Sequence, residues 1–302
     1  MTAVPTYAIP PTFLGISRKD HTSPICIAGI PLDLGTTNRS GARFGPGAIR
    51  RASRMLVDGN HPLHGVDATA AHLADIGDFA IALGDLVASM ALIEEQAHKI
   101  DHLVALGGDH SITLPLLRTL AKKRGSLALV QLDAHVDTWP DSFGQIFGHG
   151  SVFYHAIEEG LVDPRRMIQV GIRSPLSREV HDWTVAHSVV TITAQDVYET
   201  TPAAIAGRIC EVVGDASVYL SIDIDVLDPA FAPGTGTPEI GGLASWQVQA
   251  ILRRLPGLRF VGMDLVEVAP AYDVAEITAL AGATLAWEYI CLLNLYPDIA
   301  PT

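Results

Sequence analysis

Short apolar, β-branched runs recur along the chain at residues 25–30, 73–76, 103–106, 127–132, 167–172, 189–192, 218–222 and 260–263. They are continuously hydrophobic rather than alternating, the pattern of strands covered on both faces. Helical patterns lie between many of them. Over 86–100, Leu86, Met90, Ile93 and Ala97 share one face, with Glu94, Glu95 and Lys99 elsewhere. Residues 203–213 and 245–255 behave similarly, while 280–295 is apolar nearly all round and fits a core or an interface. Alternating strands and helices predict an α/β fold, a mostly parallel sheet of eight strands sandwiched by helices.

No Ser/Gly-rich, Pro-rich or like-charged run interrupts this rhythm. A single domain over residues 1–302 is therefore expected, with 1–20 as an N-terminal extension. No apolar stretch reaches the roughly 18 residues of a membrane helix. The first 20 residues lack the basic start and apolar run of a secretory signal. Cys26, Cys210 and Cys291 are odd in number, far apart and set in apolar sequence. Buried thiols in a reducing cytoplasm are the expectation. The net charge of −13 disfavours nucleic acid and anionic membrane as partners and suits a small cationic substrate.

The polar runs that end these strands carry the chemistry. Gly107-Gly108-Asp109-His110 follows the third strand, Asp133-Ala134-His135-Val136-Asp137 the fourth, Asp223-Ile224-Asp225 closes the seventh, and Asp264 to Glu267 follows the eighth. In an open α/β sheet ligands bind beyond the carboxyl ends of strands, so these segments should converge. If the backbone is extended, alternate residues in Asp133-x-His135-x-Asp137 and Asp223-x-Asp225 project one way. His110, His135, Asp133, Asp137, Asp223 and Asp225 then form an oxygen-and-imidazole set without thiolates, suited to a divalent metal such as manganese. Six donors exceed the needs of one tetrahedral ion and suffice for two. Gly107 and Gly108 permit a tight turn, and Asp109 can orient a neighbouring ligand. His149, between two glycines, can shuttle protons, and Glu267 can bind a guanidinium bidentately. The Gly/Pro-rich loop 225–239 should stand rigidly beside the metal site.

Gly-Gly-Asp-His-Ser (107–111), Asp-Ala-His-Val-Asp (133–137) and Ser-Ile-Asp-Ile-Asp (221–225) resemble the three signature motifs of the ureohydrolase family, the arginases, agmatinases and related amidinohydrolases. The resemblance runs from about residue 25 to 293. It implies an arginase-like three-layer α/β/α sandwich and two Mn²⁺ per chain. One ion would take His110, Asp133, Asp137 and Asp223, the other Asp133, His135, Asp223 and Asp225. It also implies His149 as proton shuttle, Glu267 as guanidinium ligand, Asp137 as hydrogen-bond partner of the attacking hydroxide, and a homo-oligomer, trimer or hexamer. Residues 138–148 depart from the arginase pattern and contain no Lys or Arg to meet a substrate carboxylate, whereas Asp141 suits an amine. With 263–273 and 149–156, this resembles agmatinases and implies hydrolysis of agmatine to putrescine and urea. The alternative is a guanidino-acid hydrolase, with Arg39 or Arg43 meeting the carboxylate. Arginase and the zinc-dependent deacetylases, which use one ion, are remoter alternatives.

Overall fold

The computed structural model describes residues 11–57, 60–70 and 72–295. Eight strands form one sheet: β1 (Ile25–Ile30), β2 (Leu73–Asp78), β3 (Leu103–Gly107), β4 (Leu127–Leu132), β5 (Val162–Ile172), β6 (Val190–Thr193), β7 (Ser217–Asp223) and β8 (Arg259–Val266). Their order is β2-β1-β3-β8-β7-β4-β5-β6, and every pairing is parallel. The helices are α1 (Gly45–Ser53), α2 (Leu86–Ala97), α3 (Thr113–Arg124), α4 (Val152–Glu158), α5 (Arg178–Ala186), α6 (Ala194–Glu199), α7 (Pro202–Val213), α8 (Ser245–Leu252) and α9 (Ile277–Leu295).

Alternate residues of the central strands feed two cores, which makes three layers. Ile25 and Ile27 belong to the core that side chains of α1, α7, α8 and α9 complete, whereas Cys26, Ala28 and Ile30 belong to the core shared with α2, α3 and α4. β1, β3 and β4 are buried along their whole length, hence their apolar runs, interrupted only by Gln131 in β4.

Several boundaries differ from the sequence expectation. β8 runs on to Val266, so Asp264 lies inside the strand, fully buried, instead of following it. Three hydroxyls supply its hydrogen bonds, which is how a carboxylate is tolerated there. α9 spans 19 residues with mean hydropathy 1.3, long and apolar enough to cross a membrane, contrary to the expectation that no segment reaches that length. It is a core helix: 67% of it is buried, against α1, α8 and β8. Residues 1–10 of the expected N-terminal extension lie outside the described residues. Phe13 and Leu14 are buried, and their backbone N–H groups donate to Asp75 and Ser53. The three cysteines are free, Cys26 and Cys291 buried and Cys210 partly exposed.

Candidate metal centre and cleft

The middle strands β3, β8, β7 and β4 are adjacent, and their carboxyl ends deliver all six expected donors together with Glu267. Each turn is built by one device. Asp109 accepts the N–H of Ser111 (2.9 Å), Asp133 that of His135 (2.7 Å) and Asp223 that of Asp225 (2.9 Å). An aspartate that takes the N–H two residues on folds the chain back on itself. The expected extended backbone is thus replaced by bends: Ile224–Val226 is a 3-10 turn and Asp137 has φ +48°. The donors converge because the chain curls, not because alternate strand residues point one way. Gly108 permits the crowding at β3, since a Cβ there would lie 1.9 Å from the Leu32 carbonyl oxygen.

The donors fall into two groups that share Asp133. Nδ1 of His110 lies 2.9 Å from Asp137 Oδ2 and 3.3 Å from Oδ2 of both Asp133 and Asp223. Nδ1 of His135 lies 3.0 Å from Asp225 Oδ2 and 3.5 Å from Asp133 Oδ1. Asp133 turns one oxygen to each group, as a bridging ligand must. Asp223 reaches the first group with Oδ2, and its Oδ1 is held by the N–H of Asp225.

Among the described residues buried His110 Nδ1 makes no hydrogen bond, although three carboxylate oxygens surround it. Its other nitrogen, Nε2, lies 2.8 Å from Ser221 Oγ, whose proton goes to Asp264 Oδ1 at 2.7 Å. A lone pair facing three carboxylates fits a divalent cation. Electrostatics agree. Burial raises the carboxyls of Asp137, Asp223 and Asp225, and neighbouring carboxylates add to the rise. Burial lowers His135, but the charges of Asp225 and Asp133 outweigh it and push the imidazole up to about 12. Four buried carboxylates need about four positive charges, and two divalent cations supply them.

Beside this floor stand Glu267 and His149. Glu267 has φ +64°, unusual for a non-glycine residue. Its Oε1 accepts from the backbone N–H of His110 (2.9 Å) and faces Nδ1 of His149 (3.0 Å), while buried Oε2 has no hydrogen-bond partner among the described residues. Burial opposes charge on His149, but Glu267 prevails and raises the imidazole to about 9. The cleft above has a volume of about 600 Å³. His135, Asp137 and His149 form its floor, Trp139, Phe143 and Val180 its apolar wall, and Asp141 and Glu179 are its outer acids. Among the described residues no Lys or Arg lines it. Arg43 is spent on Asp33 (Nε–Oδ1 2.6 Å), and Arg39 lies over the Tyr272 ring at 5.1 Å, so neither faces the cleft.

Four supporting residues carry roles that the sequence did not assign, although Asp264 and Ser221 lie in runs already named. Gln131 donates to Asp133 (2.8 Å), and Ser221 and Asp264 orient His110. Arg173 donates to the carbonyls of Asp225 (2.7 Å) and Glu239 (2.9 Å), pinning both ends of the loop 225–239. Polar residues inside or directly after apolar strands were the available signal.

Residues 23–291 match the arginase family, and the chain belongs to it. It is 45% identical to an agmatinase of Cronobacter sakazakii over 92% of this chain and 90% of that protein. It is 42% identical to a guanidinobutyrase of Pseudomonas aeruginosa, over 88% and 85%. The crystal structure of a hypothetical agmatinase from Burkholderia thailandensis superposes with a TM-score of 0.91 at 41% identity, covering 97% of this chain and 93% of that one.

Proposed function

We propose that the protein hydrolyses agmatine to putrescine and urea, using two Mn²⁺ ions. One ion would be held by His110, Asp133, Asp137 and Asp223, the other by Asp133, His135, Asp223 and Asp225. The observation that carries this reading is the pairing of the clustered donors, Asp223 among them, with a cleft that offers acids and, among the described residues, no Lys or Arg. A pair of such ions lowers the pKa of water and polarises the electrophile.

The chain's own residues do the rest. The unpartnered Oε2 of Glu267 binds the guanidinium, and a charge-assisted contact there fixes its plane. Asp137 accepts a hydrogen bond from the attacking water. His149 protonates the departing amine, and general acid help of this kind contributes about 10²–10⁴-fold. Asp141 and Glu179 receive the distal ammonium at the mouth, and Trp139 and Phe143 cover the methylene chain. An amine tail leaves the mouth neutralised, whereas a carboxylate tail meets like charge.

The test is direct. Manganese-loaded protein is assayed for urea with agmatine and with 4-guanidinobutyrate, and bound metal is counted. Agmatine should have the higher kcat/KM, with two metals per chain. A preference for 4-guanidinobutyrate would replace the substrate, and one tightly held zinc without urea release would overturn the reading.

A further inference from the structure

The proton shuttle assigned to His149 meets a geometric obstacle. Nδ1 is committed to Glu267 at 3.0 Å, so the proton for the departing amine must leave from Nε2. Nε2 is covered: Thr37 Oγ1 lies 2.7 Å from it and the Thr37 backbone nitrogen 3.3 Å. The backbone N–H can serve only an unprotonated Nε2. The hydroxyl can serve either state, accepting from Nε2–H or donating to its lone pair.

The loop that carries Thr37 is fastened, which makes the contact a built one. Gly35 accepts from the backbone N–H of His149 (3.1 Å) and donates its own N–H to Asp109 Oδ2 (2.7 Å). Asp109 is fully buried and bound to Ser111 as well. Asp109, in the first signature run, therefore holds the loop after β1 against His149. Thr37 itself lines the cleft beside His149.

We infer that Thr37 is a catalytic relay, its hydroxyl carrying the proton from His149 Nε2 to the leaving nitrogen of the substrate. The N–H bond at Nε2 breaks as its proton joins Thr37 Oγ1. The original hydroxyl proton passes to the leaving nitrogen, whose bond to the guanidino carbon breaks with the electron pair going to nitrogen. Thr37 ends as the hydroxyl it began as, and His149 as a neutral ring accepting from it. Glu267, Asp137 and Asp109 are the charged groups facing this imidazole from the other loops. The inference rests on the reading of His149 as the general acid.

The experiment compares Thr37→Val, Thr37→Ser and His149→Ala in manganese-loaded protein with agmatine. Bound metal is measured on each variant and should equal the parent's. Thr37→Val should lose about 10–100-fold in kcat with KM within about twofold, and Thr37→Ser should recover most of it. A guanidine whose leaving group is a weakly basic alkoxyamine needs little protonation, so its loss in Thr37→Val should shrink to within about threefold. Parental kcat in Thr37→Val beside a slow His149→Ala would overturn the relay alone. Equal loss on both substrates, or no recovery with serine, would assign Thr37 a structural role and also overturn it. Parental turnover in His149→Ala would remove the general acid itself.

Discussion

The hydroxyl of Ser221 lies 2.8 Å from Nε2 of His110 and 2.7 Å from Asp264 Oδ1. A hydroxyl has one proton, and the Asp264 carboxylate takes it, so Ser221 can only accept from the imidazole. The ring is thereby fixed with Nε2–H toward Ser221 and a lone pair on Nδ1 toward the carboxylates. Two polar residues inside strands β7 and β8 set the tautomer of a residue in the turn after β3.

Ser221→Ala should therefore weaken metal binding at that position by about 10–100-fold while leaving the fold intact. Metal titration followed by calorimetry checks this, and parental affinity would mean that the tautomer is set elsewhere.

Asp133 gives one oxygen to each donor group, so Asp133→Ala should lower affinity for both ions and abolish urea release. Asp137→Ala touches only the first group and should spare one ion. Stoichiometry by elemental analysis separates the two cases. Two ions retained in Asp133→Ala would contradict a bridging role.

Glu267→Gln keeps a hydrogen-bonding oxygen but removes the charge that faces the guanidinium and His149. We expect kcat/KM for agmatine to fall by about tenfold, since charge-assisted contacts are roughly twice as strong as neutral ones. Unchanged kinetics would remove Glu267 from substrate binding.

Asp141 and Glu179 are the outer acids of the cleft. Replacing both by Asn and Gln should raise KM for agmatine about tenfold and leave kcat nearly unchanged. The ratio of agmatine to 4-guanidinobutyrate turnover should fall with it. A constant ratio would place the amine contact elsewhere.

His102 is fully buried with Nε2 2.8 Å from the Tyr289 hydroxyl, and burial, helped by the charge of Arg124, lowers its imidazole to about 4. Between about pH 4 and 6.5 the unfolded chain binds this proton and the folded one does not, so stability rises with pH there and is lost as pH falls. The effect is on the order of 3 kcal/mol. His102→Asn should lose less stability between pH 7 and 5 than the parent in denaturant melts. Equal losses would assign the acid sensitivity to other groups.

All eight strands were legible in the sequence as apolar runs; inner strands such as β1, β3 and β4 are covered on both faces, whereas the edge strand β6 exposes Thr191 and Thr193. Some of the helices were not. In α3 the residues Leu114, Pro115, Leu116 and Leu117 are all buried, so its opening turns show no stripe, and Arg118 and Lys122 mark a polar side only further along. α1 opens Gly45-Pro46-Gly47, a turn signature in isolation. The donors were legible because buried aspartates and histidines cluster at strand ends. Their partners were not, since Ser221, Gln131 and Thr37 acquire meaning only from neighbours more than a hundred residues away or, for Gln131, from the bend that follows it.

The order of strands has a consequence for how the molecule matures. β3 pairs with β8 and β4 with β7, so the donors at 110, 133 and 223 become neighbours only after the last strand has docked between earlier ones. Long-range pairing of this kind is slow, because chain closure must precede any reward. Manganese uptake during refolding should consequently lag the recovery of helical dichroism, making ion capture a late marker that the centre of the sheet has been completed.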